Sequence, residues 1–396
     1  MNNSLWLVSN ILNILGTRWT DKINENKIMR SLVNGFFYLI LSSIRKAISQ
    51  RESSSDNVVV VSLHRLGDSV FTIPALRQIK NAYPKQIIIL CFKETKPIYN
   101  LIFDESELLV VERKQFKLNG RYATKKIRSL VSELDPKIIL DLNGDMASAS
   151  LLYLLGVKEI YGLCRPQFRA IYKKCITVRK VPHIIDIYLD AIRTIIQLEN
   201  RNNIYEFPTK INKQGKILIH PSAGWSAKEW GLTKFLELGE KLSKSFSIGM
   251  IFQNSLLTSD VRNEIKKTNI TLFETENIEE LIETTNNCFL FISNDSGPLY
   301  IAGLRGVPTF TIYGPTNPLF HLPFGQYHDY IQSDLKCIPK SNEKLCFANG
   351  GRKGCPAFEC MNQLSVDTVH LRISKFIEKL LTENIKTTNL TDNDNS

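Results

Sequence analysis

The sequence lacks an apolar run long enough to cross a lipid bilayer. The uncharged, apolar stretch at residues 31–44 lies between two arginines and falls short of the roughly 20 apolar residues that a spanning helix needs. No secretory signal is visible at the N-terminus, so we expect a cytoplasmic protein in a reducing compartment. Low-complexity sequence is confined to an Asn/Thr/Asp-rich tail after Lys386.

Acidic residues are fewer than basic residues. The chain has 50 Lys and Arg residues against 39 Asp and Glu, a net charge of +11. This balance favours an anionic partner, which could be a nucleic acid, a phosphorylated sugar or an anionic membrane surface. No zinc-finger or RNA-recognition signature is present, so we do not expect nucleic acid.

Strand-like and helix-like segments alternate in both halves of this 396-residue chain. Alternation of this kind predicts a doubly wound parallel sheet, and the length predicts two such domains. We place a helical extension at residues 1–55, an N-terminal domain at 56–205, a C-terminal domain at 206–385 and a flexible tail at 386–396. Ligands of such sheets bind beyond the carboxyl ends of the strands, and the cleft between the domains is the expected site.

The segment Phe291-Ile-Ser-Asn-Asp-Ser-Gly-Pro298 has the pattern of a phosphate-binding turn. An apolar strand, a polar turn and a proline at the first helical position together indicate a helix N-terminus. The free N–H groups and positive potential there attract anions. An ordinary connection between a strand and a helix is the alternative.

A second loop, His64-Arg-Leu-Gly-Asp-Ser-Val70, follows the first predicted strand. Gly67 permits a tight turn and the close approach of a ligand to the backbone. Asp68 lies near a helix N-terminus, where a carboxylate either stabilises the helix or accepts a proton from a substrate.

Two further loops follow strands of the C-terminal half. In His220-Pro-Ser-Ala-Gly-Trp-Ser-Ala-Lys-Glu-Trp230, Lys228 could neutralise a diphosphate, with hydrogen bonds from Ser222 and Ser226. The alternative is a surface lysine in a capping loop. In Tyr313-Gly-Pro-Thr-Asn-Pro318, Thr316 offers a hydroxyl, although most such turns are only turns.

Together, the four loops resemble the motifs of glycosyltransferase family 9, the ADP-heptose:lipopolysaccharide heptosyltransferases. The matching segments are Arg65-Leu-Gly-Asp68 with Pro74-Ala-Leu76, His220-Pro-Ser-Ala-Gly224 with Lys228 and Trp230, Ser293-Asn-Asp-Ser-Gly-Pro298, and Tyr313-Gly-Pro-Thr316. Their order covers residues 57 to about 380. One motif alone would be weak, but four in this order are specific to the family.

The resemblance implies a GT-B fold, with two Rossmann-like domains facing a cleft. It also implies inverting, metal-independent transfer of heptose from an ADP-activated donor to a lipopolysaccharide core acceptor. Asp68 takes the role of general base, and Lys228 contacts the donor phosphate. The predicted donor-binding residues are Gly67, Ser222, Ser226, Asp295, Ser296, Gly297, Pro298 and Thr316.

Other functions stay open at this point. The acceptor could be a protein such as an autotransporter adhesin, or the chain could bind sugar nucleotides without catalysing transfer. Two positions depart from the family pattern: Tyr300 stands where many members have histidine, and Gly303 where alanine is usual. These departures leave the identity of the donor sugar open.

The eight cysteines fall into two groups. Cys91, Cys164, Cys175 and Cys288 stand singly in apolar segments, which predicts small buried residues. Cys337, Cys346, Cys355 and Cys360 have the spacing C-x8-C-x8-C-x4-C, and similar cysteine-rich insertions occur in some family members. A structural zinc or iron ion, reduced thiols and disulfides are all compatible with this group.

The first 50 residues hold two apolar helical stretches and an excess of basic residues. The basic residues are Arg18, Lys22, Lys27, Arg30, Arg45 and Lys46, against two acidic ones. This pattern predicts peripheral contact with the inner face of the cytoplasmic membrane. Packing on the protein core or in an oligomer interface is the alternative.

Overall fold

The computed structural model describes residues 27–382, except 49, 51, 119–120, 123, 179–182, 199–208, 210, 324, 342, 347–354 and 356–357. The first predicted helical stretch, most of the linker predicted near 200–214 and the C-terminal tail therefore lie outside the described residues. The chain divides into two compact units. The first comprises Met1–Arg179 and Ile185–Glu199, and the second comprises Lys180–Ile184 and Asn200–Ser396.

The first unit is built on a parallel sheet with helices around it. Its strands are β1 (Val58–Val61), β2 (Ile87–Phe92), β3 (Leu108–Val111), β4 (Lys117–Leu118), β5 (Arg121–Tyr122), β6 (Ile138–Asp141), β7 (Glu159–Cys164) and β8 (Lys174–Thr177). Its helices are α1 (Lys27–Ala47), α2 (Leu66–Ala82), α3 (Lys96–Tyr99), α4 (Arg113–Phe116), α5 (Lys125–Glu133), α6 (Met146–Leu152) and α7 (Ile184–Ile192).

The second unit repeats this plan. Its strands are β9 (Ile217–His220), β10 (Ile248–Gln253), β11 (Thr271–Thr275), β12 (Leu290–Asn294), β13 (Thr309–Tyr313) and β14 (His328–Gln332). Its helices are α8 (Leu232–Ser243), α9 (Ser259–Lys266), α10 (Ile278–Thr285), α11 (Gly297–Leu304), α12 (Pro318–His321), α13 (Glu359–Asn362) and α14 (Val366–Thr382).

Both main sheets have the same strand order within the described residues. The orders are β3-β2-β1-β6-β7-β8 and β11-β10-β9-β12-β13-β14, with all pairs parallel. Each is the 3-2-1-4-5-6 order of a Rossmann sheet. The central strands β1 and β9 are buried along their whole length, as expected when helices cover both faces. The predicted fold class is confirmed.

Two helices begin at positions that bear on the site and its surroundings. Helix α2 begins at Leu66, so Gly67 and Asp68 form its first turn rather than a loop before it. Helix α5 begins at Lys125, since Arg121–Tyr122 pairs with Lys117–Leu118 in a short antiparallel hairpin. Asp68 therefore lies within α2, not in front of it.

Helix α1 packs on the first unit through one face. Phe37 and Leu41 join the buried core of that unit. The buried Arg45 guanidinium donates to the carbonyl oxygens of Leu155 and Val157 at 2.6 and 2.7 Å. The predicted boundary at residue 55 therefore does not separate α1 from the core. Its opposite face exposes Leu32 and Leu39, at 69% and 67%.

A disulfide joins two of the cysteines predicted to stand singly. Cys164 and Cys175 lie on the paired strands β7 and β8 and form this bond. The prediction missed it because only strand pairing brings the two side chains together. Cys91 and Cys288 are free and buried, as predicted. None of the described helices is both long and apolar enough to cross a membrane.

Candidate active site

The strand order reverses at one point in each sheet, between β1 and β6 and between β9 and β12. Loops leave such a point in opposite directions, and the space between them is where this fold binds ligands. The loops that follow these strands carry most of the predicted site residues. Gly67 and Asp68 belong to the first unit, and the other predicted donor-binding residues belong to the second.

Asp68 is a partly exposed carboxylate in the first turn of α2. The positive end of the helix stabilises its charge. Within the described part of the chain, no hydrogen bond or ion pair occupies its oxygen atoms. Gly67, beside it, is also partly exposed. The carboxylate is therefore free to accept a proton from a ligand.

Asp141 and Asn143 complete this corner, and neither was predicted. The Asp141 carboxylate accepts from the Tyr172 hydroxyl at 2.6 Å and from the Asn143 backbone N–H at 2.8 Å. Burial raises the pKa of Asp141 to about 6, although these hydrogen bonds act in the opposite direction. A sequence signal existed, since Asp-Leu-Asn-Gly follows a buried strand and is typical of a tight turn.

His64 is the other unpredicted residue of this corner. Its buried ring lies edge-on to the Tyr188 ring, with 5.2 Å between centroids. Burial lowers the pKa of His64, and the charges of Asp68 and Asp145 only partly oppose this. The Nε2 atom has no hydrogen-bond partner within the described residues. His64 is thus a neutral imidazole near neutral pH.

In the second unit, the structure brings Lys228, Asp295 and Thr316 together. The Lys228 Nζ and the Thr316 hydroxyl each donate to Asp295 Oδ2 at 2.6 Å. The Tyr300 hydroxyl donates to the other carboxylate oxygen. Burial acts to raise the pKa of Asp295, but Lys228, His321 and Thr316 outweigh it and the pKa is lowered. Asp295, only 2% exposed, is a buried anion that fixes a lysine.

Helix α11 begins at Gly297, two residues after Asp295 and one residue before the predicted first position, Pro298. Ser296 is the N-cap residue, but its side chain does not cap the helix and lies 3.0 Å from the Ser293 hydroxyl instead. Pro298 stands in the first turn, and both Gly297 and Pro298 are partly exposed. The helix N-terminus therefore presents its positive end without a side-chain cap from Ser296.

The loop that carries Lys228 is held by Asn294, whose role was not predicted. The Asn294 Oδ1 accepts from the Trp230 backbone N–H at 3.1 Å, and the Asn294 Nδ2 donates to the Pro221 carbonyl at 2.6 Å. Both ends of the loop are thereby tied to the end of β12. Ser222 is partly exposed and Ser226 fully exposed, so their hydroxyls are accessible to a ligand.

The four C-terminal cysteines are in no disulfide among the described residues and have intermediate exposure. Burial raises the pKa of Cys360 to about 11, and the charges of Cys346, Cys337 and Cys355 add to this shift. The other three thiols therefore act electrostatically on Cys360. Among the described residues, no group of three or more candidate ligands is arranged to hold a metal ion. The metal stays a prediction.

Comparison with known proteins identifies the family. The model of "Glycosyltransferase family 9 (heptosyltransferase)" matches residues 127–349. Lipooligosaccharide heptosyltransferase 2 of Campylobacter jejuni is 27% identical over 332 residues, covering 78% of this chain and 96% of the relative. Lipopolysaccharide heptosyltransferase 1 of Pseudomonas aeruginosa is 21% identical, covering 71% of this chain and 85% of the relative.

Solved structures share the fold. A family 9 glycosyltransferase from Veillonella parvula aligns over 84% of this chain and 99% of its own, with a TM-score of 0.63 and 19% identity. E. coli heptosyltransferase WaaC with ADP aligns over 82% of this chain and 99% of its own, with a TM-score of 0.59 and 15% identity.

The family match covers more than half of the chain and includes Lys228, Asp295 and Thr316. The predicted resemblance of the chain to this family and the predicted GT-B fold class are both confirmed. The alternative of a binding protein without catalytic activity is not supported, because the relatives named above are transferases. This chain belongs to glycosyltransferase family 9 and is a transferase enzyme.

Proposed function

We propose that this enzyme transfers heptose, or a closely related sugar, from an ADP-activated donor to a lipopolysaccharide core acceptor in the cytoplasm. The names of the Campylobacter and Pseudomonas relatives support the sugar and the acceptor class. Structures of the E. coli neighbour with ADP and with ADP-2-deoxy-2-fluoro heptose support the donor class. These relatives favour a glycolipid over a protein acceptor.

The observation that carries this proposal is Lys228, held by the buried Asp295 directly before the N-terminus of α11. A leaving nucleoside diphosphate gains negative charge as its bond to the anomeric carbon breaks. An ammonium group and a helix N-terminus held rigidly in place stabilise that charge without reorganisation.

Asp68 supplies the base in this proposal. The acceptor hydroxyl gives its proton to the Asp68 carboxylate while its oxygen forms the new bond to the anomeric carbon. The bond between that carbon and the diphosphate oxygen breaks on the opposite side, so configuration inverts. Gly67, which we assign to donor binding, lets a ligand approach the backbone closely at the start of the helix.

The roles of the donor-binding residues differ from one another. Asp295 cannot meet a diphosphate directly, because it is buried and both of its oxygens are occupied, and two anions would repel. Asp295 and Thr316 instead act through Lys228. Ser222, Ser226 and the Ser296–Pro298 turn are the groups that contact the diphosphate, and with Lys228 they supply enough positive potential for catalysis without a divalent metal.

A panel of nucleotide sugars tests the donor and the acceptor. We expect ADP to raise the melting temperature more than UDP or GDP, and ADP-heptose to release ADP only when truncated lipopolysaccharide is added. Release of UDP or GDP from their sugars, with ADP-heptose inert, would contradict the donor. Labelling of an adhesin but not of lipopolysaccharide would contradict the acceptor.

We also propose that the exposed face of α1 rests on the anionic inner leaflet of the membrane. The exposed Leu32 and Leu39 lie on a helix whose last turn carries the exposed Lys46. Full-length protein should float with anionic vesicles at low salt, and a Leu32→Glu/Leu39→Glu variant should not. Leu256→Glu, at a 57% exposed leucine of the second unit, is the control. Equal flotation of all three would refute the contact.

For the cysteine group, we propose a structural zinc or iron ion. Cys360 and the three thiols that act electrostatically on it offer the sulfur donors that both metals accept. Elemental analysis of purified protein should find about one zinc or iron per chain, and a Cys337→Ser/Cys360→Ser variant should lose it. A metal content near zero in wild-type protein would contradict the metal site and favour reduced thiols.

A further inference from the structure

Asn143 contacts the backbone at the end of β1 through both atoms of its side-chain amide. Its Oδ1 accepts from the Leu63 N–H at 2.8 Å, and its Nδ2 donates to the Leu63 carbonyl at 3.1 Å. The same Nδ2 lies 3.5 Å from His64 Nδ1. One side chain thus satisfies both backbone groups of a residue that lies beyond the end of the sheet.

Asn143 is itself held rigidly. Asp141 Oδ1 accepts from the backbone N–H groups of Asn143 and Gly144, at 2.8 and 3.2 Å. Gly144 has a φ of +60°, a left-handed conformation that favours glycine. A Cβ there would also lie 2.7 Å from the Leu163 backbone. The turn after β6 therefore has one conformation, and the Asn143 amide has one position.

The segment that Asn143 holds leads directly to Asp68. Between them, the His64 carbonyl accepts from Arg113 Nη2 at 3.3 Å, a long contact. The Arg65 carbonyl accepts from the N–H and hydroxyl of Ser69, which closes the first turn of α2. Displacement of Leu63 would tilt this short segment and move the Asp68 carboxylate.

The second unit supports the same interpretation independently. Asn294, at the equivalent end of the fourth strand, bonds Pro221 and Trp230 in the loop that follows β9. That loop carries Lys228. Each unit therefore uses an asparagine at the end of its fourth strand, or in the turn directly after it, to hold the loop after its first strand. Each of those loops leads to a charged residue of the proposed reaction.

We propose that Asn143 is a positioning residue, which sets the location of the Asp68 carboxylate by binding both backbone groups of Leu63. This inference rests on the proposed role of Asp68 as the base. A misplacement of about 1 Å can cost roughly 100-fold in rate. Asn143 should therefore affect the chemical step and not the binding of the nucleotide.

The test compares Asn143→Ala with Asn57→Ala. Asn57 lies at the amino end of the same strand, where its Nδ2 donates to the Leu134 carbonyl at 2.7 Å. Both variants should lower the melting temperature. Only Asn143→Ala should lower kcat, by about 10- to 100-fold, with the Kd for ADP unchanged. Equal kcat losses in the two variants, or normal kcat in Asn143→Ala, would overturn the proposal.

Two further variants protect the test. If Asn143→Ala does not fold, Asn143→Asp keeps the shape and the acceptor for the Leu63 N–H but faces the Leu63 carbonyl with a second acceptor. We expect its kcat to fall at least about fivefold, an intermediate loss on the scale of a 1 Å misplacement. Wild-type kcat would overturn the proposal.

The Asp68→Asn/Asn143→Ala variant should be no slower than Asp68→Asn alone, because Asn143 acts through Asp68. Additive losses would contradict this inference alone. Near-wild-type turnover of Asp68→Asn would instead remove the base assignment itself.

Discussion

Asp141 is the last residue of the fourth strand of the first sheet, and Asp295 directly follows the fourth strand of the second sheet. The pKa values of these two carboxylates are nevertheless shifted in opposite directions. Asp141 is bound by a tyrosine hydroxyl and backbone amides, and burial raises its pKa to about 6. Asp295 is just as buried, but its pKa is lowered because Lys228, His321 and Thr316 together outweigh the effect of burial. The ends of the two fourth strands thus hold a carboxylate with a raised pKa in one unit and a carboxylate with a lowered pKa in the other.

This difference assigns different tasks to the two corners. In the second unit, the buried anion keeps an ammonium group at the start of α11, where a diphosphate would need it. In the first unit, no lysine or arginine forms an ion pair with Asp141 or with Asp68 among the described residues. A base must stay free to accept a proton, whereas a phosphate site needs a charge that does not titrate.

Asp68→Asn should show the largest effect. Asparagine keeps the size of the side chain but cannot accept the proton, so kcat should fall by about 10²–10⁴ while the Kd for ADP is unchanged. Steady-state kinetics and calorimetry measure the two quantities. Asp145→Asn is the matched control, because Asp145 caps α6 and asparagine caps equally well. If Asp145→Asn lost activity and Asp68→Asn kept it, Asp145 and not Asp68 would be the base.

Lys228→Ala leaves Asp295 buried without its cation. We expect a loss of about 3–5 kcal/mol in the free energy of unfolding, measured by urea denaturation, together with weaker binding of ADP. The Lys228→Ala/Asp295→Asn variant should regain most of the stability but none of the ADP affinity. Recovery of both would show that Lys228 serves only the fold.

The two carboxylates should give pH dependences of opposite sign. Asp141 has a raised pKa, so the native state holds its proton longer and stability falls as pH rises from about 4 to about 6. The loss is roughly 3 kcal/mol, at about 1.4 kcal/mol per pKa unit. Asp295 has a lowered pKa, so its contribution is lost only as pH falls below about 4.

Denaturation of Asp141→Asn between pH 4 and 7 isolates the first of these effects. This variant should lack the loss between pH 4 and 6 that the wild type shows, because asparagine does not titrate and the Tyr172 hydroxyl can still bond to it. Parallel curves for the two proteins would mean that Asp141 does not titrate in this range.

EDTA should have the smallest effect. If the second corner supplies the positive charge that the leaving diphosphate needs, kcat after chelation should stay within about twofold of its starting value. Loss of activity that Mg²⁺ or Mn²⁺ restores would break the comparison, since a metal would then perform the task of Lys228. Loss restored only by zinc would point to the cysteine group.

Much of the site could be predicted because its residues stand in short segments with local signals. The strand before Asn294 and the proline at the start of α11 are visible in the sequence, and so are Asp68 and Lys228 in their loops. Asn143 and Asn294 were missed as holders of loops, because a single asparagine after a strand resembles any turn residue. Their partners lie 80 and 64 residues away in the chain.

By itself, the sequence determined two doubly wound sheets and four loops that follow their strands, since hydrophobic runs and turn residues are properties of neighbouring positions. Only the tertiary structure decided that Lys228 pairs with Asp295, that Cys164 bonds to Cys175 and that Asp141 has no cation among the described residues. Each of these depends on which strands lie side by side. The pKa of a buried carboxylate follows from that arrangement, because burial and the nearest charge are set by residues far apart in the chain.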